Sequence, residues 1–278
     1  MNTVVDGAVR APRNTDNPAI SIVVPARNEA LNLAVVLPEL PPVHEVILVD
    51  GGSVDGTVEA ARRAMPDIRV VHQTRKGKGN ALAAGFAAVT GDIVVMYDAD
   101  GSADPAEIER FVAALVAGAD FAKGSRFAPG GGSADITPFR SAGNWFLNRI
   151  FNRMFRSSWT DLCYGYNAFW ADQVAVLDLP DHTLPAPADG SMLWGDGFEI
   201  ETVIACRFAA AGARTTEVAS MERLRIFGES NLRAISDGFR VLRTLLTERR
   251  RARRLRRSQA AAGMSVHQSA AEREPVAA

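Results

Sequence analysis

The sequence predicts an α/β fold in which a mostly parallel central sheet is covered by helices on both faces. Three observations predict it. Short apolar runs alternate with helix-length segments from Ile20 to Phe121. Several strand runs, Ile22–Pro25 within Ile20–Pro25, Val46–Val49 and Ile93–Met96, are apolar at consecutive positions, the pattern of strands buried on both faces. Polar clusters at Arg27–Glu29, Asp50–Thr57 and Asp98–Ser102 fall directly after strands. In an open parallel sheet, ligands lie outside those carboxyl ends.

Taken in order, residues 1–18 read as a flexible lead-in. The strand Ile20–Pro25 ends at its proline. Asn28 can cap a helix with Glu29 in its first turn, running through Leu31, Leu33 and Val36 to Pro38. A second strand, Val46–Val49, leads through Asp50-Gly-Gly-Ser-Val-Asp-Gly-Thr57 into a helix over Val58–Ala64. Arg69–Val71 is a short third strand, and Gly79–Val89 an Ala-rich helix. The strand Ile93–Met96 is followed by a helix over Asp104–Val116 and a short strand over Asp120–Ala122. The second half is less regular. Gly130–Ser133 reads as a mobile loop, Phe139–Phe155 as a helix, and Pro180–Ser191 as an irregular loop. Gly197–Ala211 reads as a helix, Thr215–Val218 as a strand, and 231–258 as a long helix, with a disordered tail from 259 to 278.

At 278 residues and 47% hydrophobic composition the chain can bury a full core. A net charge of −1 gives the whole molecule no strong electrostatic preference. Cys163 and Cys206 are far apart and the four histidines are scattered, which excludes a zinc motif and a disulfide scaffold. No apolar stretch is long enough to span a bilayer, and the first residues lack a signal core. These features point to a cytosolic protein, soluble or peripherally bound.

The chemistry-bearing segments each admit a bland reading. Asp98 and Asp100, in Tyr97-Asp-Ala-Asp-Gly101, stand at the end of a buried strand, where two carboxylates can hold a divalent cation against a diphosphate. The same letters also suit a plain turn. Asp50 at its strand end can accept hydrogen bonds from a nucleobase, whereas Asp55 and Thr57 cap the following helix. Arg75-Lys-Gly-Lys-Gly-Asn80 is a basic helix opening that attracts phosphate or is a solvated loop. Arg126 and Arg140 suit bidentate phosphate contacts or simply the surface. Asp161, Asp196 and Glu199 are candidate acids or bases, with helix capping the alternative for Asp196. Cys163 reads as a small core residue.

Seven segments in order then carry a resemblance: Ser21-Ile-Val-Val-Pro-Ala-Arg-Asn-Glu29, Val49–Thr57, Lys76–Ala81, Tyr97–Gly101, Gly124-Ser-Arg-Phe127, Gly195–Glu201 and Arg225–Leu232. Together, over about residues 20 to 232, they resemble a family 2 glycosyltransferase of the dolichyl/polyprenyl-phosphate sugar synthase branch. The resemblance implies a GT-A domain over 19–230, an inverting transfer and a nucleotide-diphosphate sugar donor. It implies that Pro25, Arg27, Glu29 and Asp50 line the nucleotide pocket, and that Asp98 and Asp100 hold Mg²⁺ or Mn²⁺. It places Arg126 and Arg140 at the acceptor phosphate and Arg225 at the leaving diphosphate, where the charge building on that group also gives Lys78 a stabilising role. The chain departs from the pattern at Gly51, where many relatives have Asp, and at Ser102, where polyprenyl enzymes often have Gln.

An ionised lipid phosphate needs no base, whereas a sugar hydroxyl would need Asp161, Asp196 or Glu199 to take its proton. A sugar nucleotidyltransferase is a further alternative, although the first strand is not followed by its Gly-rich loop. The last helix places Phe239, Leu242, Leu245 and Leu246 on one face and runs into an arginine-rich segment ending at Arg257. Residues 239–257 suit an anionic membrane surface at the cytoplasmic face, on their own or with a membrane-protein partner. No nucleic-acid reader motif is present.

Overall fold

A computed structural model describes residues 13–228 and 234–271 of the chain. The first half is a run of strand–helix units. These are β1 (Ile20–Ala26), α1 (Ala30–Glu39), β2 (Glu45–Asp50), α2 (Thr57–Ala64), β3 (Arg69–His72), α3 (Lys78–Ala88), β4 (Ile93–Met96), α4 (Ile108–Val116) and β5 (Phe121–Ser125). There follow β6 (Gly132–Ser133), α5 (Pro138–Phe155), β7 (Asn167–Trp170), α6 (Val174–Leu177), α7 (Ile200–Ala210), β8 (Thr215–Ala219), β9 (Met221–Glu222) and α8 (Ala234–Ala271).

Seven strands form one sheet in the order β3-β2-β1-β4-β7-β5-β8, and β6 pairs with β9 beside it. β3, β2, β1 and β4 run parallel, as does β5 with β8. β7 is antiparallel to both neighbours, β4 and β5. Burial follows the pleat. Ile22, Val24, Leu48 and Val95 pack on one face with Leu33, Phe111 and Tyr166, while Val23, Ile47, Val49 and Met96 pack on the other with Leu82, Phe86 and Phe208. Both faces are therefore covered, which is why these strands read as continuous apolar runs.

Several boundaries differ from the sequence reading. Arg13 ion-pairs with Asp120 and Asp172 and lies over the Trp170 ring, so the lead-in is anchored from that residue onward; residues 1–12 lie outside the described residues. Asn28 adopts φ 57° and does not cap α1. The next loop satisfies the helix start instead: Thr57 Oγ1 accepts from the Glu29 N–H and Asp55 Oδ2 from the Ala30 N–H. Within Gly130–Ser133, read as a loop, Gly132 and Ser133 form β6. β7 and β9 had no counterpart in the sequence reading. α8 continues through Ala271, past the expected end at Ser258, because Ala, Gln and Met after that point are good helix formers. No helix among the described residues is long and apolar enough to cross a membrane.

Candidate active site

The carboxyl ends of β1, β2 and β4 open into a cleft of about 1250 Å³, closed on the far side by α5, α7 and the start of α8. Pro25, Arg27, Glu29, Lys78, Asp98, Asp100, Arg126, Arg140 and Arg225 all line it. Residues far apart in sequence are thus brought to one cavity.

Asp98 and Asp100 are each held by a cation. Lys78 Nζ is 2.7 Å from Asp98 Oδ1 and 2.7 Å from Glu201 Oε1. Arg225 reaches Asp100 at 3.1 Å and also pairs with Glu29. Burial works against the Lys78 charge, but the carboxylates of Asp98 and Glu201 outweigh it and hold the ammonium above its ordinary range. Ser102 donates its hydroxyl to Asp100 Oδ1 at 2.7 Å, so it fixes that carboxylate.

Lys78 is positioned by an unusually close backbone contact. Gly79 N–H donates to the Asp196 carbonyl at 2.7 Å. A Cβ at Gly77 or Gly79 would run into the carbonyl oxygens of Asp196 and Gly195, so both positions require glycine. The glycines of this basic segment therefore serve a packing contact with the 195–196 backbone. Asp196 completes the clamp: its carboxylate takes Arg75 Nε at 2.7 Å and Nη2 at 2.9 Å.

Three candidate bases are withdrawn from the cavity. Asp196 is 1% exposed and saturated by Arg75. Glu199 turns back on its own helix start, where Oε1 accepts from the N–H groups of Gly195 and Gly197. Asp161 is 0% exposed and bridges Arg126. The carboxylate of this stretch that lines the cavity is Glu201. Residues two apart on a helix point about 200° apart, so Glu199 and Glu201 cannot both face the ligand.

Arg126 also differs from expectation. Its Nε and Nη2 bind Asp161 at 2.7 and 3.1 Å, and Nη1 binds both Glu222 oxygens at 3.2 and 3.1 Å. The guanidinium lies 4.8 Å from the Tyr164 ring centre. Burial disfavours the Asp161 charge, yet Arg126 holds that carboxylate below its ordinary range. Lys123, fully buried beside this cluster, donates to the Tyr164 carbonyl at 2.7 Å; burial lowers its ammonium despite Asp161. Arg126 therefore faces the cavity already neutralised by two carboxylates. Arg140, by contrast, has a half-exposed partner, Asp135, at 2.8 Å.

Asp50 is buried and lies behind the lining residue Gly51. Burial opposes its charge, but Ser53, the Gly52 N–H and His72 hold the carboxylate low. It shapes the loop and does not itself line the cavity. Cys163 is exposed on the cavity wall and is not a core residue. Asn144 on α5 was missed by sequence reasoning. It lines the cavity, is nine-tenths buried, and neither polar atom of its amide has a hydrogen-bond partner among the described residues. Glu229–Leu232, the end of the last family segment, lie outside the described residues.

The family model for glycosyl transferase family 2 matches residues 21–174. The chain belongs to glycosyl transferase family 2. Among relatives, the glycosyltransferase AglJ of Haloferax volcanii is 32% identical over 227 residues, covering 79% of this chain and 68% of its own length. The undecaprenyl-phosphate mannosyltransferase of Micrococcus luteus is 34% identical over 220 residues, covering 76% of this chain and 86% of its own. Among solved structures, glucosyl-3-phosphoglycerate synthase from Mycobacterium tuberculosis, in complex with Mn²⁺, UDP and glucosyl-3-phosphoglycerate, superimposes with TM-score 0.61 at 24% identity, covering 83% of this chain and 80% of that one. The family 2 enzyme thus has the GT-A fold.

Proposed function

We propose that this family 2 glycosyltransferase moves a sugar, with inversion, from a nucleotide-diphosphate donor to a polyprenyl phosphate. The observation that carries the reading is the pairing of Asp98 and Asp100 with Lys78 and Arg225 in one cleft. Relatives named for undecaprenyl-phosphate and polyprenol-phosphate substrates support the acceptor class.

The carboxylate pair fits Mg²⁺ or Mn²⁺. Both carboxylates line the cavity, and the Gly165 backbone lies so close to Asp98 that a Cβ there would stand 3.3 Å from Asp98 Oδ2 and 3.5 Å from Lys78 Nζ, so the missing side chain keeps that carboxylate uncrowded. Among the described residues no third His, Cys, Asp or Glu completes a metal cluster. Two carboxylates plus substrate phosphates are the usual set for such hard cations. When bound, the cation would neutralise negative charge on the leaving diphosphate.

The chain's own residues do the rest. Pro25, Arg27 and Glu29 flank the nucleotide. Lys78 and Arg225 release their carboxylates as the donor arrives and turn to the diphosphate, where fixed positive charge stabilises the departing group. Arg140 and the Asn144 amide take the acceptor phosphate. Arg126, already neutralised, acts as a positioning residue that holds Tyr164 and the 161–165 loop. An acceptor phosphate is ionised at neutral pH and needs no base, which agrees with the withdrawal of Asp161, Asp196 and Glu199 from the cleft. The arginine-rich part of α8 would hold the enzyme at an anionic cytoplasmic membrane surface, alone or beside a membrane-protein partner.

The test is transfer from labelled UDP- and GDP-sugars with Mg²⁺ or Mn²⁺, with and without a short polyprenyl phosphate. The expected result is label in the organic phase only with the lipid phosphate, lost in Asp98→Ala. Donor binding without lipid-dependent transfer overturns the acceptor assignment.

A further inference from the structure

The segment that carries Arg225 is held by hydrogen bonds more than by burial. After β9, residues 223–228 run from the loop behind β4 to the start of α1. The Arg223 N–H donates to the Ser102 carbonyl at 2.8 Å and the Ile226 N–H to the Asp100 carbonyl at 3.1 Å. Ile226 also fills the space of a side chain at Gly101, where a Cβ would stand 2.5 Å from Ile226 Cδ1. Ile226 and Phe227 nevertheless stay 40% and 43% exposed, so core packing contributes little to holding them.

The far end of the segment is gripped by Asn32, in the first turn of α1. Asn32 is 3% exposed and does not line the cleft. Its Oδ1 accepts the Phe227 N–H at 2.9 Å, and its Nδ2 donates to the Phe227 carbonyl at 3.2 Å and to Glu29. The amide thus clasps both polar groups of one residue, as a paired strand would. Its orientation is fixed, because one end meets an N–H and the other meets two oxygens.

The same two partners hold Arg225. Its Nε donates to the Phe227 carbonyl at 2.8 Å, its Nη2 pairs with Glu29, and its Nη1 reaches Asp100 at 3.1 Å. Asn32, Phe227, Arg225 and Glu29 therefore close a ring of hydrogen bonds. Arg225 and Glu29 line the cleft, whereas Asn32 and Phe227 do not. Two jobs are separated within one guanidinium. Nε is tied to a backbone carbonyl that Asn32 fixes, while both Nη groups are tied to part-exposed carboxylates that a ligand can replace. A fork that pivots about a fixed Nε delivers both Nη groups to the oxygens of one phosphate. An error of about 1 Å in that placement is costly.

We propose that Asn32 is the positioning residue for Arg225: by clasping Phe227 it fixes the carbonyl about which the guanidinium turns from Glu29 and Asp100 to the donor diphosphate. This deepens the proposed function and rests on its assignment of Arg225 to that diphosphate.

The experiment measures binding of UDP and of GDP, each with Mn²⁺, by calorimetry on the full chain, so no acceptor enters. Asn32→Ala and Arg225→Ala should each weaken binding about tenfold, and the double variant should be no weaker than Arg225→Ala alone. In hydrogen exchange of the unliganded chain, residues 223–228 should exchange at least about tenfold faster in Asn32→Ala, with β1, β2 and β4 unchanged. Asn32→Asp, which keeps the shape and the Oδ1 acceptor but loses the donor end, should show the same exchange pattern. Wild-type diphosphate binding in Asn32→Ala overturns the proposal, as do losses that multiply in the double variant or unchanged exchange at 223–228. Wild-type binding in Arg225→Ala, with faster exchange in Asn32→Ala, would keep the clasp and overturn the diphosphate role of Arg225 instead.

Discussion

Two ionic clusters face the same cleft and are built on opposite principles. On the β1–β4 side, Lys78 and Arg225 bind Asp98, Glu201, Asp100 and Glu29, side chains that keep between 14% and 37% exposure. On the β5 side the pairs centre on Asp161, which is fully buried, with Arg126 at 6% and Glu222 at 12% side-chain exposure on the cavity edge. Partly hydrated pairs are worth little net energy and can trade partners for a ligand. A buried pair that loses one member leaves an uncompensated charge, so it stays as it is. On the proposed function the first cluster receives an anionic substrate, and the second stays as a fixed wall.

Removing the carboxylates proposed to hold the metal should break the first cluster most severely. Asp98→Ala or Asp100→Ala should lower transfer by about a thousandfold or more with Mn²⁺ present, read by single-turnover kinetics, while the melting temperature moves little. Breaking the second should do the reverse. Asp161→Asn should cost about 3–5 kcal/mol in urea unfolding at neutral pH. Its pH dependence has a definite sign. The folded Asp161 carboxyl titrates below its ordinary 3.8, so its contribution is complete above that value and is lost as the pH falls through the folded one. The gap between wild type and Asp161→Asn should therefore narrow below about pH 4.

Lys78→Met should reduce kcat by about a hundredfold with a smaller change in donor affinity, because its contact matters most as charge builds on the diphosphate. Asn144→Leu sharpens the contrast in another way. A buried amide without partners costs about 1–3 kcal/mol, so its removal should leave stability equal or higher while raising the KM for the acceptor phosphate. Glu199→Gln is the smallest effect. It should alter transfer less than about threefold, since that carboxylate serves the local turn.

The β1–β4 side of this cleft was legible in the sequence because its signals are local. Apolar runs fix β1, β2 and β4, and the polar residues directly after them fall at the sheet edge by construction. The other side depends on contacts distant in sequence. β7 is only Asn167–Trp170, and nothing local says that it inserts antiparallel between β4 and β5. Arg126 reads as a phosphate ligand until Asp161, 35 residues away, is seen to occupy it, and Asp196 reads as a base until Arg75, 121 residues away, is seen to claim it. Residue type gave the chemistry of each group, and tertiary pairing decided whether that chemistry was free to act. Asn144 left no sequence signal, because an amide inside an aromatic-rich helix is indistinguishable from a surface residue until its exposure is known.

The most direct test of this division is a crystal structure with a nucleoside diphosphate and Mn²⁺. An anomalous Mn²⁺ peak should lie on Asp98 and Asp100, with Lys78 and Arg225 turned onto the phosphates and Arg126 still bound to Asp161 and Glu222. A Mn²⁺ peak away from the two carboxylates, or Arg126 swung out of its pair onto the ligand, would contradict it.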